Sequence, residues 1–215
     1  MHNSQYKKII SISLWGNNPR YCIGAIKNSK LAKEIYPDWE YRVYYDNTVP
    51  EGTINELMEN GTNIILVKDS LLSGAFWRFF AAESEESIVI CRDADSRLSQ
   101  REKQCVDDWL NSDKKYSIIR DHVRHYDFPM LAGMWGVRGG LSEAKIKSIY
   151  HFETLYYYTV DQIYLSEYVW KEARYDCYIS GIIETTQFKE SRELVNVDFV
   201  GQGYDENENP IYPII

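Results

Sequence analysis

Short apolar segments alternate with stretches of helical periodicity through the first 120 residues, and this alternation restricts the fold more than any other feature. Ile9–Leu14 has the composition of a buried strand, and Pro19 then suits the first turn of a helix that runs to residue 36. Further strands are predicted at 39–45, 63–67, 87–91, 115–120 and 129–137. Further helices are predicted at 50–58, 74–83, 99–110, 141–150 and 160–170. Strands separated by helices indicate an α/β fold with a mainly parallel central sheet flanked by helices.

The chain has a suitable length for one domain, and it contains no linker, repeat or low-complexity segment. Residues 1–215 are therefore predicted to form a single domain with an irregular tail at 201–215. The 24 basic and 32 acidic side chains give a net charge of −8, which disfavours nucleic acid as a partner because nucleic-acid binders need a basic surface. No apolar run approaches the roughly 20 residues of a transmembrane helix. A polar N-terminus without signal-peptide character and four cysteines without a CxxC motif predict a cytoplasmic protein.

Two carboxylates directly follow the most apolar predicted strand. Ile88–Cys91 is apolar on successive residues, as expected for a strand buried on both faces, and Asp93 and Asp95 come just after it. Ligands of open α/β sheets bind at the carboxyl ends of the strands, and Mg²⁺ takes one or two carboxylates together with substrate phosphates. The pair therefore predicts a site for a metal-bound diphosphate, with a solvated acidic turn as the alternative. Arg92 and Arg97 flank the pair as counterions or as phosphate ligands.

Four phrases of the sequence resemble one enzyme family. They are Phe76–Phe79 (FWRF), Cys91–Arg97 (CRDADSR), Arg120–His122 (RDH) and Gly133–Gly136 (GMWG). Together with the order of strands they are similar to nucleotide-sugar glycosyltransferases of the GT-A fold, in particular to short domains of bacteria and large DNA viruses. The resemblance extends over most of the chain, from about residue 9 to 201. It implies a metal-dependent enzyme that transfers a sugar from a nucleoside-diphospho sugar, with UDP favoured, to a glycan or protein-linked acceptor.

The resemblance also implies roles for individual residues. A nucleotide-binding half would cover about 9–97, and a half for sugar and acceptor about 98–200. The residues that the resemblance implies in donor binding are Ser13, Leu14, Trp15, Trp77, Arg78, Arg92, Asp93, Gly133 and Trp135. Asp93 and Asp95 would bind Mn²⁺ or Mg²⁺. Many such enzymes add a late histidine as a metal ligand, whereas the last histidine here is His151, so a further ligand stays open.

Several candidate residues allow two interpretations. Inverting glycosyl transfer needs a carboxylate that takes the proton of the acceptor hydroxyl. Asp161 is the first choice because it opens a predicted helix, and Asp121 and Glu153 are the other candidates. Asp161 also suits a helix terminus, and Asp121 a structural salt bridge.

The aromatic and imidazole side chains near these carboxylates are equally open. Trp135 is either a platform for a sugar or a core residue. His122 and His125 are expected to be loop histidines rather than metal ligands, because Pro129 makes a helix there improbable.

Two other functions are compatible with parts of the pattern. A phosphohydrolase of the haloacid-dehalogenase kind also carries two aspartates after a buried strand, but normally after the first strand of the chain, whereas here three strands precede the one that leads into Asp93. A non-catalytic sugar- or nucleotide-binding module would suit the 18 tyrosines and 6 tryptophans, because these side chains join an apolar face to a polar tip.

Overall fold

A seven-stranded sheet forms the centre of the computed structural model, which describes residues 6–68, 70–181 and 199–211. Its strands are β1 Lys7–Leu14, β2 Glu40–Tyr45, β3 Asn63–Leu66, β4 Ser87–Cys91, β5 Tyr116–Ile119, β6 Trp135–Arg138 and β7 Cys177–Ser180. They lie in the order β3-β2-β1-β4-β6-β5-β7. Every neighbouring pair is parallel except the two that involve β6. The predicted α/β fold with a mainly parallel sheet is confirmed.

The helices flank this sheet. The α-helices are α1 Pro19–Ile35, α2 Glu51–Glu59, α3 Gln100–Leu110, α4 Glu143–Ser148, α5 Val160–Tyr164 and α6 Trp170–Ala173. A π-helical turn at Leu165–Val169 joins α5 to α6, and 3₁₀ helices span Gly74–Glu83, Val123–Tyr126 and Ile149–Phe152. We refer to Gly74–Glu83 as the aromatic helix. No helix among the described residues combines the length and apolar character that crossing a bilayer requires.

Each face of the sheet carries its own hydrophobic core, because successive side chains of a strand point to opposite faces. On β4, Val89 and Cys91 pack into the core under the aromatic helix, whereas Ile88 and Ile90 pack with Trp109 of α3 on the other face. All five residues of β4 are buried, as the continuous apolar run predicts. This strand lies near the middle of the sheet and carries Asp93 and Asp95 at its carboxyl end.

The second half of the chain departs from the sequence prediction. The strand expected at 129–137 covers only Trp135–Arg138, because the preceding residues form a loop in which the guanidinium of Arg120 donates to the carbonyl of Pro129 (2.7 Å). The sequence does not predict strand β7, since its four residues, of which Ile179 is exposed and Ser180 is buried, show no clear alternation. The tail contains a small hairpin, β8 Gly203–Tyr204 and β9 Pro210–Ile211, where an irregular segment is predicted; residues 212–215 lie outside the described residues.

A buried ion pair fastens α3 to the centre of the sheet. The guanidinium of Arg92 contacts the carboxylate of Glu102 at 2.8 Å, and both side chains are only 2% exposed. Arg92 also donates to the carbonyls of Cys91 (2.8 Å) and Trp135 (3.2 Å), and the hydroxyl of Tyr36 donates to Glu102 (3.0 Å). Each charge is thus surrounded by partners, which offsets much of the cost of removing it from water.

We predict that Glu102→Ala lowers the free energy of unfolding by about 3–5 kcal/mol, because it leaves the Arg92 guanidinium buried without its counterion. Urea denaturation followed by circular dichroism measures this loss. The control is Glu85→Ala, which removes an exposed carboxylate at the other end of β4 and is expected to change stability by less than about 0.5 kcal/mol. Equal effects of the two substitutions would contradict the prediction.

Candidate active site

Three segments of the chain meet at one edge of the sheet. Ser11 of β1 lies beside Cys91 at the end of β4, so that β1 continues for three residues past this point. Cys91 is also paired with Trp135 at the beginning of β6, because β6 runs antiparallel to β4. The loop after β1, the Asp-x-Asp motif and the segment before β6 are therefore adjacent, at the edge where ligands of open α/β sheets bind.

Two serines of β1 fix the position of Arg78. The hydroxyl of Ser11 donates to the carbonyl of Arg78 (2.7 Å), and the backbone N–H of Arg78 donates to the hydroxyl of Ser13 (2.8 Å). These serines alternate with isoleucine and point to the face that the aromatic helix covers. Because both bonds are buried, the helix cannot slide along β1 without leaving polar groups unpaired. Arg78 is thus held at the end of β4.

The guanidinium of Arg78 joins two carboxylates from distant parts of the chain. One nitrogen contacts Asp93 (2.5 Å) and also donates to the carbonyl of Arg92 (3.1 Å), and the other contacts Asp161 at the start of α5 (2.6 Å). Burial alone would lower the pKa of Arg78, but the negative charges of Asp93 and Asp161 outweigh it and raise that pKa above its ordinary value. Burial raises the pKa of Asp161, and Arg78 opposes this shift.

Asp95 forms a second ion pair, with Arg20 in the first turn of α1. Burial and the neighbouring charge of Asp93 raise the pKa of the Asp95 carboxyl, whereas Arg20 opposes that shift. The side chain of Asp93 is 44% exposed and that of Asp95 is 12% exposed. Two close carboxylates, one of them open to solvent, are a suitable donor set for a divalent cation that takes its other ligands from water and phosphate. Among the described residues, no three carboxylate, imidazole or thiol side chains form a closed metal site.

The tail supports the backbone of the motif. The N–H of Tyr204 donates to the carbonyl of Asp95 (2.9 Å), and Gly203 forms an isolated bridge with Ser96. The carboxylate of Glu208 receives a hydrogen bond from Arg97 (2.6 Å). Arg97 therefore serves this contact between motif and tail in the structure.

Gly133 lies directly against the side chain of Asp93. A Cβ atom at position 133 would be 2.0 Å from Asp93 Oδ2 and 2.5 Å from its Cγ. Because such distances are impossible for real atoms, any larger residue at this position must move the carboxylate or the loop. The structure thus brings Gly133 and Asp93 together at the end of β4.

The loop after β1 places one tryptophan at the surface. Trp15 is 47% exposed, its ring rests on Gly74, and it contacts Trp77 edge to face at a centroid distance of 6.1 Å. The N–H of Gly16 donates to the hydroxyl of Thr48 (2.6 Å), which holds the loop. Trp15 therefore offers an aromatic surface beside the site, whereas Trp77 is buried behind it.

Four of the sequence candidates do not present their side chains to this cluster. Leu14 and Trp135 are about 1% exposed and lie in the two cores, Trp135 against Phe79. Arg92 is buried on Glu102, as described above, so it is not placed to reach a phosphate. Asp121 pairs with Arg101 (2.5 Å) and accepts the N–H of Val200 (2.8 Å), so its carboxylate serves contacts outside the cluster of Arg78, Asp93 and Asp161.

His122 and His125 are not loop histidines as expected, because His125 lies in the 3₁₀ helix Val123–Tyr126 and His122 caps its start, and both are buried beside Phe199. The ring of His122 stacks on Phe199 at 4.3 Å, and the N–H of Asp121 donates to Nδ1 of His125 (2.9 Å). Burial, together with nearby His122 and Arg120, lowers the pKa of His125 to about 3, so this imidazole is neutral near pH 7. Burial also lowers the pKa of His122. Both contact protein groups in this structure.

Sequence reasoning missed Arg20 and the tyrosines around it. Arg20 follows Pro19 in the first turn of α1, and its partner is 75 residues away, so no local pattern indicates the pair. Burial and the negative charge of Asp95 raise the pKa of Tyr21, whereas the guanidinium of Arg20, which lies 5.3 Å from the centre of the Tyr21 ring, opposes this shift. The signal available in the sequence was the run of three tyrosines before Asp161, at residues 156–158.

Comparison with solved structures identifies the fold. The chain is similar to mannosyl-3-phosphoglycerate synthase from Rubrobacter xylanophilus, with a TM-score of 0.55 and 12% identity over 86% of this chain and 70% of that one. It is also similar to a cytidylyltransferase from Leptospira borgpetersenii, with a TM-score of 0.51 and 9% identity over 88% of this chain and 85% of that one. No family model matches the sequence, and no curated protein matches it. The fold is thus GT-A-like, as the resemblance implies.

We predict that Gly133→Ala destabilises the protein by about 1–3 kcal/mol, because the new methyl group must displace the Asp93 carboxylate or the loop. Thermal denaturation measures the effect. The matched control is Gly52→Ala, since nothing lies within 4 Å of that position in helix α2 and alanine there is expected to stabilise by about 0.5–1 kcal/mol. A Gly133→Ala protein as stable as wild type would contradict the close contact.

Proposed function

We propose that this protein is a metal-dependent glycosyltransferase that uses a nucleoside-diphospho sugar, of the UDP type by preference, and a glycan or protein-linked acceptor. The observation that carries the proposal is the pair Asp93 and Asp95 at the carboxyl end of the central buried strand, of which Asp93 is joined through Arg78 to Asp161. This arrangement puts a cation-binding pair and a separate carboxylate within reach of one substrate.

The leaving group of this reaction is a nucleoside diphosphate. Asp93 and Asp95 would hold Mn²⁺ or Mg²⁺, which when bound neutralises charge that develops on the departing diphosphate. Arg20 is 31% exposed at the mouth of the site and would leave Asp95 for a phosphate oxygen. Trp15 would stack on the nucleobase, with its ring already supported by Gly74 and Trp77.

Asp161 would take the proton of the acceptor hydroxyl. The acceptor oxygen forms a bond to the anomeric carbon of the sugar, the bond from that carbon to the diphosphate breaks, and the diphosphate leaves with the electron pair. A carboxyl whose pKa is raised by burial is a better proton acceptor than an exposed aspartate. Arg78 orients Asp161 through the 2.6 Å contact.

The fold alone is compatible with nucleotidyl transfer as well, since the cytidylyltransferase shares it. The nucleophile of nucleotidyl transfer to a sugar phosphate is already an anion, so a carboxylate beside it has no proton to take and would repel it. Asp161 therefore favours transfer to a hydroxyl group. A phosphohydrolase of the haloacid-dehalogenase kind is not favoured, because the motif follows the fourth strand of the chain.

Asp95→Asn tests the metal-binding part of this proposal. Wild-type protein is expected to show a thermal shift with a UDP or GDP sugar only when Mn²⁺ is present, and to release the nucleotide. Asp95→Asn keeps the shape of the side chain but removes its charge, so metal-dependent nucleotide release should fall on the order of a hundredfold or more. Asp113→Asn, which alters a carboxylate that is 91% exposed, is the control and should behave as wild type. Full activity of Asp95→Asn with metal present would refute the assignment.

Asp161→Asn separates donor binding from turnover. Asparagine can still accept a hydrogen bond from Arg78 but cannot take a proton at neutral pH. We expect donor affinity within about threefold of wild type and turnover reduced on the order of a hundredfold or more, without the ionisation that Asp161 contributes to the pH–rate profile. Calorimetric titration of the donor and initial rates across pH measure the two quantities. An active Asp161→Asn enzyme with an unchanged pH profile would reduce Asp161 to a residue that positions Arg78.

A further inference from the structure

Three exposed tyrosines follow one another in the chain shortly before Asp161. Tyr156, Tyr157 and Tyr158 are 64%, 47% and 91% exposed, and they directly precede α5. We call residues 154–159 the tyrosine loop. Three large aromatic side chains exposed in a row are unusual for a soluble surface and commonly mark an interaction site.

The loop has a fixed shape. The carbonyl of Leu71 accepts both the N–H of Thr154 (3.1 Å) and the hydroxyl of Tyr156 (2.9 Å). At the other end, the carbonyl of Tyr157 accepts the N–H of Val160 (3.3 Å). The hydroxyl of Tyr156 is thus tied down while most of its ring stays exposed, so the ring is a rigid surface rather than a free side chain.

Both ends of the loop hold threonines in the left-handed region. Thr154 has φ of 65° and Thr159 has φ of 73°, a conformation that β-branched residues rarely adopt. Such strain persists where the surrounding structure enforces a particular geometry, and it is concentrated at ligand sites. Here the left-handed conformation of the two threonines sets the direction in which the tyrosine side chains point into solvent. The second threonine, Thr159, lies two residues before Asp161.

The loop is continuous with the proposed active site. Asp161 is three residues from Tyr158, and its carboxylate contacts the guanidinium of Arg78, which also contacts Asp93. Leu71, which holds Tyr156, precedes the aromatic helix on which Trp15 rests. An acceptor whose hydroxyl reaches Asp161 would therefore extend across the tyrosine loop.

The charge of the loop indicates the class of acceptor. Residues 150–161 contain no lysine or arginine, and their carboxylates are Glu153 and Asp161. An anionic acceptor such as a phosphorylated acid would meet repulsion and no counterion from this segment. Aromatic faces with hydroxyl tips suit the apolar faces and hydroxyl groups of neutral sugars.

We propose that the tyrosine loop is the acceptor-binding surface of this enzyme and that it binds the sugar rings of a neutral oligosaccharide on the faces of Tyr157 and Tyr158. This inference rests on the proposed function, because it assigns the acceptor side of that same site.

A printed array of neutral oligosaccharides, probed with the full chain, tests the proposal directly. We expect wild type to bind a subset of glycans and the oligosaccharide bound best to stimulate nucleotide release from the donor. Tyr158→Ala should weaken binding of that oligosaccharide about tenfold, and Tyr158→Phe should retain it, because the ring face makes the contact. Tyr175→Ala, which removes an exposed tyrosine beyond the end of α6, is the matched control.

Release of nucleotide to water, measured without acceptor, distinguishes the two proposals. It should stay within twofold of wild type in the tyrosine variants. Sugar binding without any metal-dependent donor binding would refute the proposed function and with it the acceptor role, and would leave the tyrosine loop as a glycan-binding surface. Two results would overturn the acceptor surface alone, each with donor turnover intact. In one, the wild type binds no glycan on the array; in the other, Tyr158→Ala binds the glycans as well as the wild type does. A loss of self-association in Tyr157→Ala/Tyr158→Ala, with glycan binding unaffected, would also overturn it, because the loop would then join two copies of the chain.

Discussion

The buried guanidinium of Arg78 is the interaction on which the site depends. A guanidinium removed from water is costly unless carboxylates surround it, and Arg78 has two, from segments 68 residues apart. Asp93 follows a strand of the first half of the chain, whereas Asp161 opens a helix of the second half. The same side chain satisfies both charges and therefore joins the end of β4 to the start of α5. Without it, Asp93 and Asp161 would lack the positive charge that both of them contact.

The charged side chains around Arg78 and Asp95 would suit a divalent cation together with an anionic ligand. Asp93, Asp95 and Asp161 carry three negative charges when ionised, and Arg20 and Arg78 carry two positive ones, which leaves one net negative charge. A divalent cation would reverse that sign and make the site attractive to a diphosphate. The pKa of Asp95 is raised first by burial and then by the charge of Asp93, and a bound cation would offset the second of these effects. An acidic protein can in this way bind an anionic substrate locally.

The sequence predicted those parts of the structure that local patterns encode. The first five strands follow the apolar segments closely, and Asp93 and Asp95 lie at the end of β4 as expected, because a buried strand and its polar end are visible in a few residues. Long-range pairing is not visible in this way. Arg92 was expected to act on the Asp93–Asp95 pair as a counterion or to bind a phosphate, but it is buried on Glu102, and Trp135 occupies the core beneath the aromatic helix. The residues next to Arg92 and Trp135 in the sequence do not indicate whether these side chains point into the site or into the interior of the protein.

The reversal of one strand explains why Gly133 must be a glycine. If β6 ran parallel to β4, its preceding loop would lie at the opposite edge of the sheet, far from Asp93. Because β6 is antiparallel, its first residue pairs with Cys91 and the loop before it returns to the carboxyl end of β4. The loop then occupies the space beside a carboxylate, where a Cβ atom has no room. Topology brings the segments together, and the absence of a side chain lets them meet at this distance.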